Sequence, residues 1–282
     1  MAKKKYEEAN IEAIADTIRE KTGSEKTYKT KDMAEGVGEV FEAGKQAEND
    51  AFWDGFLDRG ERKVFTMAFA NWRCEYIRPN RKIIFNYIEG DRAYSVFQRC
   101  TNLKEIKKEY FDFSQYTPKP DLSTGGWYYT FNNLRALEYF EDLGCQAGGY
   151  YYTWAYGLSL HTVEVMRCCE EGVYAQPFHG CSKLVNLTIE GVIGTSFPIQ
   201  YSPLSPASLK SVVKHLKNYS GIADHTQTLT VKASAWEALE AEGLNDEDKA
   251  WLISLMPYVE EDIDYVTWAT VVDFFSWNLV LA

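Results

Sequence analysis

A chain of 282 residues with 45% hydrophobic content is long enough for one large domain or two modest ones, and it can bury a sizeable core. Its net charge of −11 leaves no electrostatic footprint for nucleic acid or an anionic membrane surface. No run of 18 apolar residues is present, so membrane insertion is not expected; the 19 tyrosines point instead to ring-filled packing or a contact surface.

The first segment reads as helical. Asn10 is an N-cap residue type, Ile11, Ile14, Ala15 and Ile18 recur on one helical face, and Gly23 is placed to end the helix. Met1 to Lys5 resembles a charged n-region, but Tyr6-Glu7-Glu8-Ala9-Asn10 follows where an apolar run is needed, so no signal peptide is expected. Thr30 caps a second expected helix, in which Met33, Val37, Val40, Gly44, Ala47 and Ala51 alternate in steps of four and three. Such a seam either packs on its own chain or pairs with copies of itself, giving a homo-oligomer through residues 1–60. Gly55 and Gly60 bracket the end of helical patterning and place a domain boundary near residue 60.

Asn10 to Gly23, followed by Lys31-Asp32-Met33-Ala34, is similar to the N-terminal leader of tail-associated proteins encoded by phages and prophages of Gram-positive gut bacteria. Ala51-Phe52-Trp53-Asp54-Gly55-Phe56 and Phe65-x-x-Ala68-Phe69-Ala70-Asn71-Trp72 resemble the connector of leucine-rich members of that group. The resemblance implies a leader that attaches or oligomerises the chain ahead of a binding region. It also implies a virion-associated protein, cytoplasmic before assembly.

Beyond the boundary, Lys82 to Ile88 reads as a strand, and a triplet pattern then begins. Phe97, Cys100, Leu103 and Ile106 are followed by Phe131, Leu134, Leu137 and Phe140, then by Trp154, Gly157, Leu160 and Val163, then by Phe178, Cys181, Leu184 and Leu187. The copies step by 34, 23 and 24 residues. A period of three suits neither a long helix nor a plain strand, whereas steps of this length indicate stacked units that bury their apolar edges on one another. Pro118 and Pro120 lie in an insertion between the first two copies, Tyr110 to Thr124.

The pattern F-x-x-C-x-x-L-x-x-[IL] resembles the BspA-like class of bacterial leucine-rich repeat; the longer asparagine-ladder form is absent. This resemblance, over roughly residues 94–231, implies an α/β fold: a right-handed leucine-rich repeat solenoid with short parallel strands over 61–231 and helices at both ends. It implies non-enzymatic protein or glycan binding. With the leader, it implies a tail-associated or receptor-binding prophage component that recognises a bacterial surface. The alternative is a leucine-rich adhesin or interaction module outside a virion.

Within this stretch Gly125-Gly126-Trp127-Tyr128-Tyr129 and Gly148-Gly149-Tyr150-Tyr151-Tyr152 lie one unit apart. Strand alternation cannot bury three consecutive tyrosines on one side. Trp127, Tyr128, Tyr129, Tyr150 and Tyr151 are therefore candidate binding residues for a sugar or protein; the plainer alternative is that these rings fill an irregular coil.

Ser202 to Leu209 opens a short helix expected to run through Tyr219, with Val212, Val213 and Leu216 buried, and Thr226 to Val231 reads as a strand. This passage resembles the closing segment of the same leucine-rich phage proteins. Residues 232–282 read as a cap: Ser234 to Glu242 helical with Gly243 as its stop, a helix capped by Asn245, Pro257 after it, a helix over Thr267 to Phe275 and a last strand at Trp277 to Leu281.

Groups that carry chemistry are weaker signals. Cys74, Cys100, Cys145, Cys168, Cys169 and Cys181 include no C-x-x-C pair and are expected as free thiols; His179 and Cys181 beside Cys168-Cys169 do not make a zinc pattern. Glu260, Glu261, Asp262 and Asp264 lack the order of a calcium loop. No phosphate loop, dinucleotide fingerprint or G-x-S-x-G is found, so neither a cofactor nor an enzyme activity is expected.

Overall fold

Phe69, Phe97, Phe131, Trp154 and Phe178 form one interior column of stacked rings. Centroid separations run 5.1, 5.9, 6.0 and 5.2 Å, with interplanar angles between 16° and 20°. The structure, a computed structural model, describes residues 12–21, 39, 50, 53, 68–85, 95–120, 126–222 and 227–282. The chain divides into two compact units, Met1–Arg62 with Pro79–Arg81, and Lys63–Arg78 with Lys82–Ala282.

In the first unit residues 12–21 are helical. Ala15 and Ile18 are buried, but Ile14 is 48% exposed, so the apolar face is narrower than the spacing suggests. Ile14 sits about 100° around the helix from Ala15, enough to carry it off the packed side. The seam Met33, Val37, Val40, Gly44, Ala47 and Ala51 lies outside the described residues.

In the second unit the strands are short and all paired in parallel. β1 (Ile83–Ile84) pairs with β2 (Phe111–Asp112). β3 (Trp127–Tyr128), β5 (Tyr150–Tyr151) and β7 (Tyr174–Ala175) make one sheet; β4 (Tyr139–Phe140), β6 (Thr162–Cys168) and β8 (Asn186–Gly191) make another. The chain thus visits the two sheets alternately. Successive partners are 23 or 24 residues apart: Trp127 faces Tyr150, which faces Tyr174, and Tyr139 faces Thr162, which faces Asn186. Between the sheets the corners are also laddered: the Phe97 N–H donates to Thr130 O at 2.8 Å, Phe131 N–H to Thr153 O at 2.9 Å and Trp154 N–H to Pro177 O at 2.9 Å.

Every triplet position read from the sequence is buried. The slot three residues after each ring is small for a reason beyond volume. The Cys100 thiol donates to Phe69 O at 2.9 Å and the Cys181 thiol to Trp154 O at 3.1 Å, each tying one turn of chain to the turn before. Phe69 extends the column one step upstream of the first copy evident in the sequence.

Each corner needs two left-handed residues, one two positions before the ring and one two after. Ser95 and Arg99 flank Phe97, Tyr129 and Asn133 flank Phe131, Tyr152 and Tyr156 flank Trp154, and Gln176 and Gly180 flank Phe178, all with φ between 48° and 74°. This double reversal folds a three-residue repeat into a corner. An ordinary L-residue there costs roughly 1–2 kcal/mol, so it must be held by packing.

β9 (Phe197–Pro198), β10 (Thr228–Val231) and β11 (Asn278–Leu281) form a further parallel sheet with β11 at its edge. Between them α1 (Pro206–Lys214) is capped by Ser205, whose hydroxyl accepts from the Ser208 N–H. This helix stops five residues short of Tyr219, because the backbone around Leu216 bridges Ile193 instead. α2 (Ala233–Glu242) ends at Gly243 with φ 66°, and α3 (Asp246–Leu255) starts in a reciprocal capping box between Asn245 and Asp248. Pro257 opens a 3₁₀ stretch (Pro257–Tyr265), and α4 (Trp268–Phe274) is capped by Thr267. These closing elements share one compact unit with the stacked strands.

Candidate functional site

Trp127 and Tyr128 occupy consecutive positions of β3, and Tyr150 and Tyr151 the matching positions of β5. Alternation sends one of each pair inward. Trp127 and Tyr150 are the inward members, each 0% exposed. Trp127 Nε1 donates to Gln146 O at 2.9 Å, and the Tyr150 hydroxyl donates to Arg167 O at 2.7 Å. As surface binding groups these two are corrected: they are core.

The outward members are half-buried and adjacent. The Tyr128 and Tyr151 rings lie parallel, centroids 4.4 Å apart at 1°. Tyr129 and Tyr152 follow them, and simple alternation would turn both inward. Their left-handed backbones, φ 53° and 48°, keep them on the outer side instead. Tyr129 meets Tyr151 edge-on at 5.4 Å and stacks on Tyr152 at 5.7 Å. The aromatic run continues through His179, which lies 5.6 Å from Tyr152, 5.1 Å from Tyr156 and 4.3 Å from Tyr201.

A cleft of about 380 Å³ opens along this run. One side is lined by the rings of Tyr129, Tyr151, Tyr152 and Tyr156, the other by Gln98, Arg99, Asn132 and Asn133. Asn132 Nδ2 donates to Tyr152 O at 3.2 Å, and Arg135 Nε donates to Asn133 Oδ1 at 2.8 Å. Burial, reinforced by the neighbouring Tyr151 and Tyr128, pushes the Tyr129 phenol up to about 12, so it is a neutral hydrogen-bond donor and acceptor at pH 7. Tyr152 is also raised, by burial first and then by Tyr151, and its hydroxyl donates to Gln176 Oε1 at 3.0 Å. The cleft offers ring faces and amides side by side, which is recognition chemistry.

Of the five residues expected here, Tyr128, Tyr129 and Tyr151 come together at the surface and Trp127 and Tyr150 beneath it. Sequence reasoning missed Gln98, Arg99, Asn132, Asn133, Tyr152 and Tyr156 as a group. The signal was present: each lies one or two positions after, or two before, a ring of the column.

The cysteines are free thiols among the described residues. Burial pushes Cys100, Cys168 and Cys181 up to about 12, which leaves them protonated at neutral pH. Among the described residues no group of His, Cys, Asp or Glu is arranged to hold a metal ion, and no helix is long and apolar enough to cross a membrane. In comparisons with known proteins, no family model, no curated protein and no solved structure matches this chain.

Proposed function

We propose that this chain is a non-enzymatic binding protein, and that its parallel turns build a leucine-rich solenoid whose tyrosine-lined cleft engages a protein or glycan on a bacterial surface. The observation that carries the reading is the row of Tyr128, Tyr129, Tyr151 and Tyr152 on neighbouring turns, held half-exposed by backbone geometry that disfavours large side chains. Rigid, amphipathic rings contribute contact area at small entropic cost. The stacked column and the constant register support the solenoid. The leader motif supports a tail-associated or receptor-binding role in a prophage, with residues 1–60 as the attachment or oligomerisation segment.

The test is binding of the full chain to bacterial surface glycans on an array and to surface proteins in pull-down, before and after Tyr128→Ala with Tyr151→Ala. The double variant is expected to lose at least about tenfold in affinity while melting normally, as truncation of central aromatic anchors does. Tyr139→Ala, at a ring 47% exposed on the other sheet, serves as the control and should bind as the parent does. Equal binding by parent and double variant would discard the cleft as the contact site.

A further inference from the structure

The cleft carries a charge asymmetry that ring stacking leaves unexplained. The protein is strongly acidic, with a net charge of −11, yet no carboxylate lines the cleft. Its one charged lining residue is Arg99, an exposed side chain with no ion pair among the described residues. Elsewhere Arg78 is paired with Glu105, and Arg167 with Asp142 and Glu190. Just outside the cleft stands a second guanidinium, that of Arg135. It is anchored through Nε on the side chain of Asn133 and likewise has no carboxylate partner among the described residues.

Backbone geometry adds an independent observation. Arg99 sits at φ 62°, in the corner position filled by Asn71 in the preceding turn, Asn133 in the following one and Gly180 in the last. Asparagine and glycine take that conformation readily; arginine does so at a cost of roughly 1–2 kcal/mol. Its side chain is held at this point despite the backbone. Strain of this kind concentrates at ligand sites, and the inference runs from the outlier to the role.

Resting on the binding function proposed above, we propose that the cleft selects an acidic oligosaccharide: the anionic substituent is taken by Arg99 with Arg135 behind it, and a sugar face lies against Tyr129 and Tyr152. A planar guanidinium suits a carboxylate, sulfate or phosphate by paired hydrogen bonds. Gln98, Asn132 and Asn133 supply both donors and acceptors for ring hydroxyls. The cleft volume of about 380 Å³ falls within the range of small-ligand sites, roughly 300–1,000 Å³.

The experiment is calorimetric titration of the full chain at physiological salt with five probes. These are a uronic-acid tetrasaccharide, the same tetrasaccharide after carboxyl reduction, a sulfated tetrasaccharide, inorganic phosphate, and an acidic octapeptide. The expected result is at least about tenfold tighter binding of an acidic sugar than of the reduced one, weakening as salt rises. Arg99→Asn, which suits the left-handed backbone and so preserves the fold, should abolish that gap and leave the reduced sugar's affinity unchanged. The uronic and sulfated arms identify which anion is preferred, and binding of free phosphate alone would overturn the sugar assignment. Equal affinity for acidic and reduced sugars overturns the inference. If that equal binding is lost in the Tyr128→Ala/Tyr151→Ala variant, the broader reading stands. Binding of the octapeptide without the sugars overturns the inference in favour of an acidic protein partner, and silence from every sugar also overturns it.

Discussion

Replacing Phe131 by alanine tests the ring column at its centre. Phe131 is 1% exposed and enclosed by aromatic neighbours: Phe97 and Trp154 stack above and below at 5.9 and 6.0 Å, Phe140 lies edge-on at 4.5 Å, and Phe113 closes a further side at 5.7 Å. These rings belong to turns fixed by their own backbone ladders, so they cannot collapse into the vacated volume. The loss should therefore fall in the upper part of the range for buried Phe→Ala, about 3–5 kcal/mol. Against a native stability of roughly 5–15 kcal/mol that is a large fraction. For a unit of this size it corresponds to a melting point lower by roughly 6–20 °C. Urea and thermal melts of the full chain measure it. Phe131→Leu should stay within about 1.5 kcal/mol, and Tyr139→Ala, at an exposed ring, within about 0.5 kcal/mol. A loss below about 1 kcal/mol for Phe131→Ala would refute the claim that the column holds the turns together.

Three more outcomes follow from single contacts. Gly180 has φ 74° and lies against the Tyr156 ring, where an added Cβ would sit 3.3 Å from Cδ1; Gly180→Ala should cost about 1–2 kcal/mol in a urea melt, and Gly180→Asn distinctly less. Asp248 is almost fully buried between Lys210 and Lys214, at 3.2 and 2.7 Å. Burial alone would raise its pKa, but hydrogen bonds from Lys214, Lys210 and the Asn245 N–H outweigh it and leave the pKa lowered. Its contribution is thus present above the unfolded-state value, near ~3.9, and is lost as pH falls through the folded value. Asp248→Asn should destabilise by about 3–5 kcal/mol at pH 7 and flatten the acid limb of a stability–pH profile; an unchanged limb would contradict the assignment. Finally, a thiol reagent at pH 8 should label half-buried Cys74 and Cys169 in the native protein, and Cys100, Cys168 and Cys181 only in urea, as peptide mapping would reveal.

The interior was legible because a column of buried side chains leaves a fixed spacing in the chain. Phe97, Phe131, Trp154 and Phe178 could be read from triplets alone, and so could the caps at Ser205, Asn245 and Thr267, whose side chains bond locally. The strands that carry the tyrosines were harder to read. A two-residue strand has too little alternation to reveal which member faces inward, and a shift of one residue exchanges Trp127 for Tyr128. Tyr129 and Tyr152 depart from alternation altogether, because their φ values are positive, a state that tyrosine does not advertise in sequence. Arg99, Asn133 and Tyr156 become neighbours only when successive turns are laid side by side. Phe69 was hidden for a related reason: its step to Phe97 is 28 residues, neither of the shorter steps that follow.

The constant offset between paired strands makes this stretch of chain modular in length. Trp127 and Tyr150 occupy equivalent places, as do Tyr150 and Tyr174. Excising residues 128–150 would join Trp127 directly to Tyr151 across an equivalent junction, leaving every remaining inward side chain inward. Removal of half that number would turn the interior out. Growth and shrinkage of the molecule are thereby confined to whole turns, and each turn added or removed would lengthen or shorten the aromatic cleft by one step.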